Sequence, residues 1–272
     1  MNIVIACAVG LIAGAHTATW GMYKDAVHEG FELRKYLRSI LLSGTIAPVC
    51  VLLGFPLTDA GSLVVLFGIT YVIERAVSEF YKTFLRDEDQ SKYFIPMQFA
   101  VRGRVVKSRR TRLLVGAGAA AAGAVLMLLV VAFQNAVGPE PGVIVVLIAG
   151  SLGGWFSAVG GAWKDAPIEG FETLKFFRSP VLSAFAALLV SAFTQNIAFM
   201  ALAGLGFTIA TLETYKTFCF PSKPRGKFAG KSIAHPEMLE RRRWFVPLYW
   251  GIWLLIATGF VTGAVGASTW PG

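Results

Sequence analysis

The sequence predicts an all-α polytopic membrane fold: about eight transmembrane helices, set as two parallel four-helix repeats about a pseudo-two-fold along the membrane normal. Three observations predict it. Hydrophobic residues fill 55% of the 272 positions and charged residues only 15%, against roughly 25% charged in a soluble domain. The apolar residues come in runs of about 20, enough to cross a hydrocarbon core of about 30 Å at 1.5 Å per residue. The chain also repeats itself: residues 21–39 read GMYKDAVHEGFELRKYLRS and residues 161–179 read GAWKDAPIEGFETLKFFRS, identical at 11 of 19 positions without a gap. A fixed-period duplication in an apolar chain marks a two-repeat membrane architecture, here divided at 1–136 and 137–272.

The elements follow in order. The first span, 3–23, carries Gly10 and Gly14, a small-xxx-small pair that lets helices approach closely. It resembles a signal peptide, but it has no basic residue before its apolar run, and its counterpart lies mid-chain; it is expected to be a retained helix. Spans 40–55 and 180–195 are short, with Pro48 and Pro180, and are expected to be tilted, broken or re-entrant. Span 61–82 ends on Glu79-Phe80-Tyr81-Lys82-Thr83-Phe84, and span 197–218 ends on Glu213-Thr214-Tyr215-Lys216-Thr217-Phe218. Span 112–134 opens with GAGAAAAGA and should pack tightly. Span 143–163 repeats the glycine pair as Gly150 and Gly154, which places the first and fifth spans near the pseudo-axis. Span 244–266 closes the chain. Trp20, Trp163, Trp244, Trp250 and Trp270 near span ends read as interfacial belt residues.

Charge sets the orientation. All 25 Lys and Arg fall in the loops after the first, third, fifth and seventh spans or at the adjoining helix ends. By the positive-inside rule that side is cytoplasmic, so both termini lie on the other side of an inner or plasma membrane. The net charge of +9 is thus a topology signal. No basic–aromatic pattern points to nucleic acid. The basic loops 85–111 and 219–243, including PSKPRGKFAGK, are expected to meet the bilayer's anionic headgroups; no phosphate-loop spacing is present. Cys7, Cys50 and Cys219 match no metal or disulfide pattern, and no two histidines stand at ligand spacing.

The candidate chemistry lies in what the repeat kept. Asp25 and Glu29, like Asp165 and Glu169, stand at i, i+4 on one helix face. Glu32 and Glu172 follow three residues on, and Lys24 and Lys164 precede. Glu79 and Lys82 match Glu213 and Lys216 at the ends of the third and seventh spans. Symmetry would bring the two acidic faces together beneath the membrane. Asp25, Glu29, Asp165 and Glu169 are the candidate ligands of a divalent cation, magnesium, because hard cations take oxygen ligands. The neighbouring lysines and arginines suit phosphate oxygens. The plainer expectation is an interfacial helix beginning near Asp165, with Pro167 in its first turn, acids in its first turns and bases in its last. Gly30 and Gly170 then mark a break or a close contact. Glu79 has a partner at i−4 in Arg75, whereas Glu213 has Ile209 there and is expected to lack a local partner.

Three functions fit. The first is a transporter or channel for a small ion or phosphorylated solute, with a charged site at the cytoplasmic face. The second is a membrane-embedded, magnesium-dependent enzyme acting on a lipid phosphate or prenyl diphosphate. The third is a non-catalytic subunit or scaffold completed by a protein partner or a second copy. Transport is preferred, because charges kept in both halves suit a path lined by both.

Overall fold

The computed structural model describes residues 1–220 and 226–268 and is all-helical apart from one two-stranded ribbon. Its helices are α1 (Asn2–Glu29), α2 (Leu33–Leu52), α3 (Ala60–Phe80), α4 (Arg109–Val137), α5 (Val143–Glu169), α6 (Thr173–Val190), α7 (Ile197–Phe218) and α8 (Glu237–Ser268). A wider π turn, Tyr81–Leu85, continues α3. Strands β1 (Ala100–Val101) and β2 (Arg104–Val105) pair antiparallel between α3 and α4. Among the described residues, eight helices are long and apolar enough to cross a membrane.

Local chemistry sets most of the boundaries. Asp59 caps α3, its side chain accepting the Ser62 N–H at 2.7 Å, and Ser62 returns the contact to the Asp59 N–H at 3.0 Å. Asn196 caps α7 through the Phe199 N–H at 3.1 Å. The repeated motif behaves differently from the interfacial helix expected. α1 and α5 run straight through it and stop at Glu29 and Glu169, so Pro167 lies in a last turn and the acids sit at a C-terminal end. The stop is glycine: Gly30 has φ 76, ψ 170 and Gly170 has φ 85, ψ 164. That backbone region is closed to side-chain-bearing residues, because a Cβ clashes there. Glu32 and Glu172 then take extended backbone, and α2 and α6 begin at the next residue.

Because α2 and α6 start this early, they are 20 and 18 residues long. They are therefore continuous helices with Pro48 and Pro180 inside, not broken or re-entrant segments. Each packs back on its hairpin neighbour through the predicted glycines. A Cβ on Gly10 or Gly14 would strike the carbonyl of Ser43 or Ser39. One on Gly150 or Gly154 would strike Ala187 or Pro180. The glycine pairs thus serve hairpins rather than an α1–α5 contact, because a three-residue turn already holds the adjacent helix alongside.

The centre belongs to α3 and α7, where Gly68 and Gly206 let the two backbones touch and Ala203 meets Gly68. Their apolar stretches are 67% and 56% buried, against 6% for α4. The tight packing expected of α4 is therefore not found: Gly116 meets Phe84 and Phe80, while Gly118 and Gly123 face open space. α8 lies against α1 and α3, with Tyr249, Ile252 and Ile256 buried. Trp163, Trp244 and Trp250 are exposed, as belt residues are; Trp20 is buried and hydrogen-bonded inside the bundle, and Trp270 lies outside the described residues.

The corner glycines make a direct prediction. Gly170→Ala meets no neighbouring atom, so its cost is backbone strain alone, about 1–3 kcal/mol. Thermal unfolding in detergent should show a lower Tm for Gly170→Ala and for Gly30→Ala. Gly118→Ala in α4, helical and unobstructed, should be neutral or slightly stabilising.

Candidate functional site

The two corners place the duplicated residues at one end of the bundle. In the first, Asp25 and Glu29 face the same way from the last turns of α1, and both hold Lys227, at 3.0 and 3.2 Å. Lys35, from the first turn of α2, bonds Glu32 at 2.8 Å and lies 3.8 Å from Glu29. In the second, Asp165 and Glu169 both hold Lys175, at 3.0 and 2.9 Å, while Glu172 is exposed at the corner. The two acidic faces therefore do not meet beneath the bundle; each closes on its own lysine. Among the described residues no group of three or more His, Cys, Asp or Glu is placed to hold a metal ion. Asp25, Glu29, Asp165 and Glu169, the four residues expected to ligate a cation, each hold an ammonium group.

Lys24 and Lys164 point elsewhere. Lys24 reaches across to Glu213 on α7 at 3.2 Å, joining the two halves of the chain. Lys164 turns to the Met97 sulfur at 3.5 Å. Glu213 also has a local partner, contrary to expectation: Lys216 lies one turn on, at 3.0 Å. Glu79 takes both Arg75 at 2.5 Å and Lys82 at 3.0 Å. Arg75 lies 3.7 Å from Glu74 and over the Trp20 ring.

The basic loops are folded over these corners, and each crosses to the other half. The loop after α7 covers the end of α1: the Ala234 and His235 N–H groups both donate to the Val27 carbonyl at 3.0 Å, one of the acceptors a helix end leaves open. His28 stacks on Phe228. The loop after α3 covers the end of α5, where Trp163 donates to the Ala100 carbonyl at 3.0 Å. The loops also join, Phe94 N–H donating to the Lys227 carbonyl at 2.7 Å. Asp87 pairs with buried Arg112 at the start of α4. The first five residues of the PSKPRGKFAGK segment lie outside the described residues. Burial disfavours the Lys227 ammonium, but Asp25 and Glu29 outweigh it and raise its pKa. Burial, then the nearby Glu29 carboxylate, raises the Tyr93 phenol.

Each corner encloses a cleft, of about 120 Å³ in the first half and 130 Å³ in the second. The linings match position by position: Asp25 with Asp165, Lys35 with Lys175, Arg38 with Arg178, Lys82 with Lys216. Arg86 in the first and Arg178 in the second each have a buried Nε with no hydrogen-bond partner among the described residues. Thr17 and Ser157 stand at the inner ends.

Behind the first cleft lies a polar group that the sequence reading missed in part. Trp20 Nε1–H donates to the Tyr71 hydroxyl at 2.9 Å, and that hydroxyl meets His16 Nδ1 at 3.2 Å. An indole N–H can only donate, so the Tyr71 oxygen accepts from Trp20. His16 stacks on Tyr249, and its Nε2 has no partner among the described residues. In the sequence His16 stands within the first span beside Thr17 and Thr19, and Tyr71 is one tyrosine within LFGITYVIER. Comparison with protein-family models, curated proteins and solved structures finds no match for this chain.

Lys227→Met would leave two largely buried carboxylates without their shared cation, at a cost of about 1–3 kcal/mol. Hydrogen exchange should show lost protection over residues 226–236. In the wild type that protection should be full at neutral pH. It should fall as pH rises above the unfolded lysine value of about 10.4 and through the raised folded-state pKa. Lys227→Met should lack this alkaline step.

Proposed function

We propose that this chain is a multi-pass transporter of a small phosphorylated solute in an inner or plasma membrane. It is built as two four-helix repeats, 1–136 and 137–272, about a pseudo-two-fold along the membrane normal. The charged end is cytoplasmic and both termini lie outside. The observation that carries this reading is the pair of matched clefts, each lined by more cations than acids. The acids hold lysines, and Lys82 and Lys216 hold Glu79 and Glu213, so what faces an incoming solute is the guanidinium groups of Arg38 and Arg178, which are in no ion pair among the described residues. Those groups suit phosphate oxygens.

The cross-half pair Lys24–Glu213 supports transport further, because it ties the halves together where an alternating movement would part them. The depth of the polar groups supports it too. Thr17 and Trp20 line the first cleft, and Trp20 leads to Tyr71 and His16, buried well inside the helix bundle.

A second reading, a magnesium-dependent enzyme acting on a lipid phosphate or prenyl diphosphate, is favoured by one observation. Only the first half has His16, Trp20 and Tyr71, and chemistry needs such unlike groups.

One experiment separates the two. Proteoliposomes preloaded with phosphate or pyrophosphate should exchange labelled phosphate or pyrophosphate across the membrane. Lys82→Gln with Lys216→Gln should slow that exchange at least about tenfold, a loss of about 1.4 kcal/mol in the rate-limiting step. Magnesium-dependent release of orthophosphate from pyrophosphate or a lipid phosphate, without exchange, would establish the enzyme instead. Neither activity would sink both.

A further inference from the structure

The two clefts have equal size and matched walls, yet they are not chemically equal. Among the described residues the first is lined by six cations against three carboxylates, and the second by three cations against two. The extra cations of the first cleft are Arg75, Arg86 and Lys227, each in an ion pair: Arg75 with Glu79, Arg86 with Glu88 at 2.6 Å, and Lys227 with Asp25 and Glu29. At the offset of 134 that relates α3 to α7, Arg75 corresponds to Ile209 and Arg86 to Phe220. Lys227 arrives on the crossing loop, and the loop that crosses to the second half brings no cation to Asp165 or Glu169.

The inner ends differ in the same sense. The first cleft reaches Trp20 and Arg75, and the Trp20 indole is bonded to Tyr71. At the matching positions the second half has Gly160, Ile209 and Leu205, and Leu212 lines its cleft where the first half has Ser78. An anion in the first cleft would find buried hydrogen-bonding groups beyond it. An anion in the second would meet an apolar wall.

We propose that the first cleft is the high-affinity site for a multiply charged phosphate, of the diphosphate or phosphate-monoester class, and that the second is a weak copy. Donor number decides between them: a guanidinium carries five N–H groups, so Arg75 and Arg86 keep donors after pairing with Glu79 and Glu88. At a membrane edge, where the dielectric is lower than in water, each such N–H binds a phosphate oxygen more strongly than it would in solution. Arg86 has a buried Nε–H without a partner among the described residues, as Arg178 has in the second cleft, so an arriving oxygen would satisfy either without displacing a bond. Arg38 is exposed at the cleft wall and reaches the same opening. This proposal rests on the phosphorylated-solute reading above.

The test uses the full-length protein in detergent, titrated calorimetrically with inorganic pyrophosphate, orthophosphate and geranyl diphosphate. Arg38 and Arg178 are matched residues, so Arg38→Gln and Arg178→Gln make the comparison at equal chemical cost. Wild type should bind pyrophosphate more tightly than orthophosphate. Arg38→Gln should weaken pyrophosphate binding at least about tenfold, and Arg178→Gln less than about threefold. Arg86→Gln, confined to the first cleft, should also weaken it at least about tenfold. Unchanged circular dichroism and elution volume would show that the variants are folded. Should a variant fail that check, competition by pyrophosphate against Arg-specific modification of the wild type, mapped by peptide mass, gives the same answer: Arg38 and Arg86 protected before Arg178. Tighter binding of geranyl diphosphate than of pyrophosphate would assign the cleft to a lipid-linked headgroup, and equal binding to a free phosphate compound; both support the site. Equal losses in Arg38→Gln and Arg178→Gln would overturn the division of the clefts while leaving the phosphorylated-solute reading intact. No binding of any of the three probes by wild type would overturn both.

Discussion

The charged end of this protein depends on where α1 and α5 stop. Both helices carry their apolar face to about residue 23 or 163 and then continue as charged helix for nearly two more turns, at 3.6 residues per turn. Only at Gly30 and Gly170 does the backbone leave the helix, in a conformation that no other residue takes at low cost. Had the helices ended at the apolar boundary, the acids would have sat on a loose loop. As built, Asp25 and Glu29 are held on one face of a rigid helix, a short turn returns the chain, and α2 delivers Lys35 and Arg38 opposite them. The hairpin glycines, Gly10 and Gly14 against Ser43 and Ser39, then keep α2 close enough for the corner to form a cleft instead of splaying.

Charge pairing follows from that placement. A charge held at the edge of an apolar bundle loses hydration and must recover it from partners. Almost every duplicated charge has done so, and the partners show which contacts are structural. Lys24 with Glu213 joins the halves; Lys227 with Asp25 and Glu29 pins a loop. The loops are thus part of the scaffold, each crossing to the opposite half and bonding to the other. Their basic residues were expected to meet lipid headgroups, but Lys227 faces inward because two carboxylates are stacked there to receive it.

Much of this was legible in the sequence. The eight spans, the glycine packing pairs and the break at Gly30 and Gly170 follow from composition and from the duplication, because hydrophobic length and glycine are read locally. Other features were not legible, for a common reason. Pro167 fits a first turn or a last turn equally well by local rules, and only the continuous helix before it decides. Glu213 has only Ile209 one turn back, whereas Lys216 stands one turn ahead and Lys24 comes from 189 positions away. The grip of Lys227 on Glu29 spans 198 positions. Contacts of that range depend on how the loops fold over the bundle, which no periodicity encodes. The guess that α1 and α5 line the centre failed in the same way: small residues announce a close contact without naming the partner.

The duplication also explains why a difference between the clefts carries more weight than their likeness. Matched walls follow from the matched sequences of the two corners, and need no function beyond a stable corner. Arg75, Arg86, Trp20, Tyr71 and His16 have no counterparts and cannot be explained that way. Arg75 in particular is costly: a guanidinium deep in the bundle, 2.5 Å from Glu79 and 3.7 Å from Glu74, where an apolar residue serves the other half well. Stability alone would favour the isoleucine found at position 209. The cation stands beside the one cleft whose inner wall is polar, the cleft proposed above as the high-affinity site.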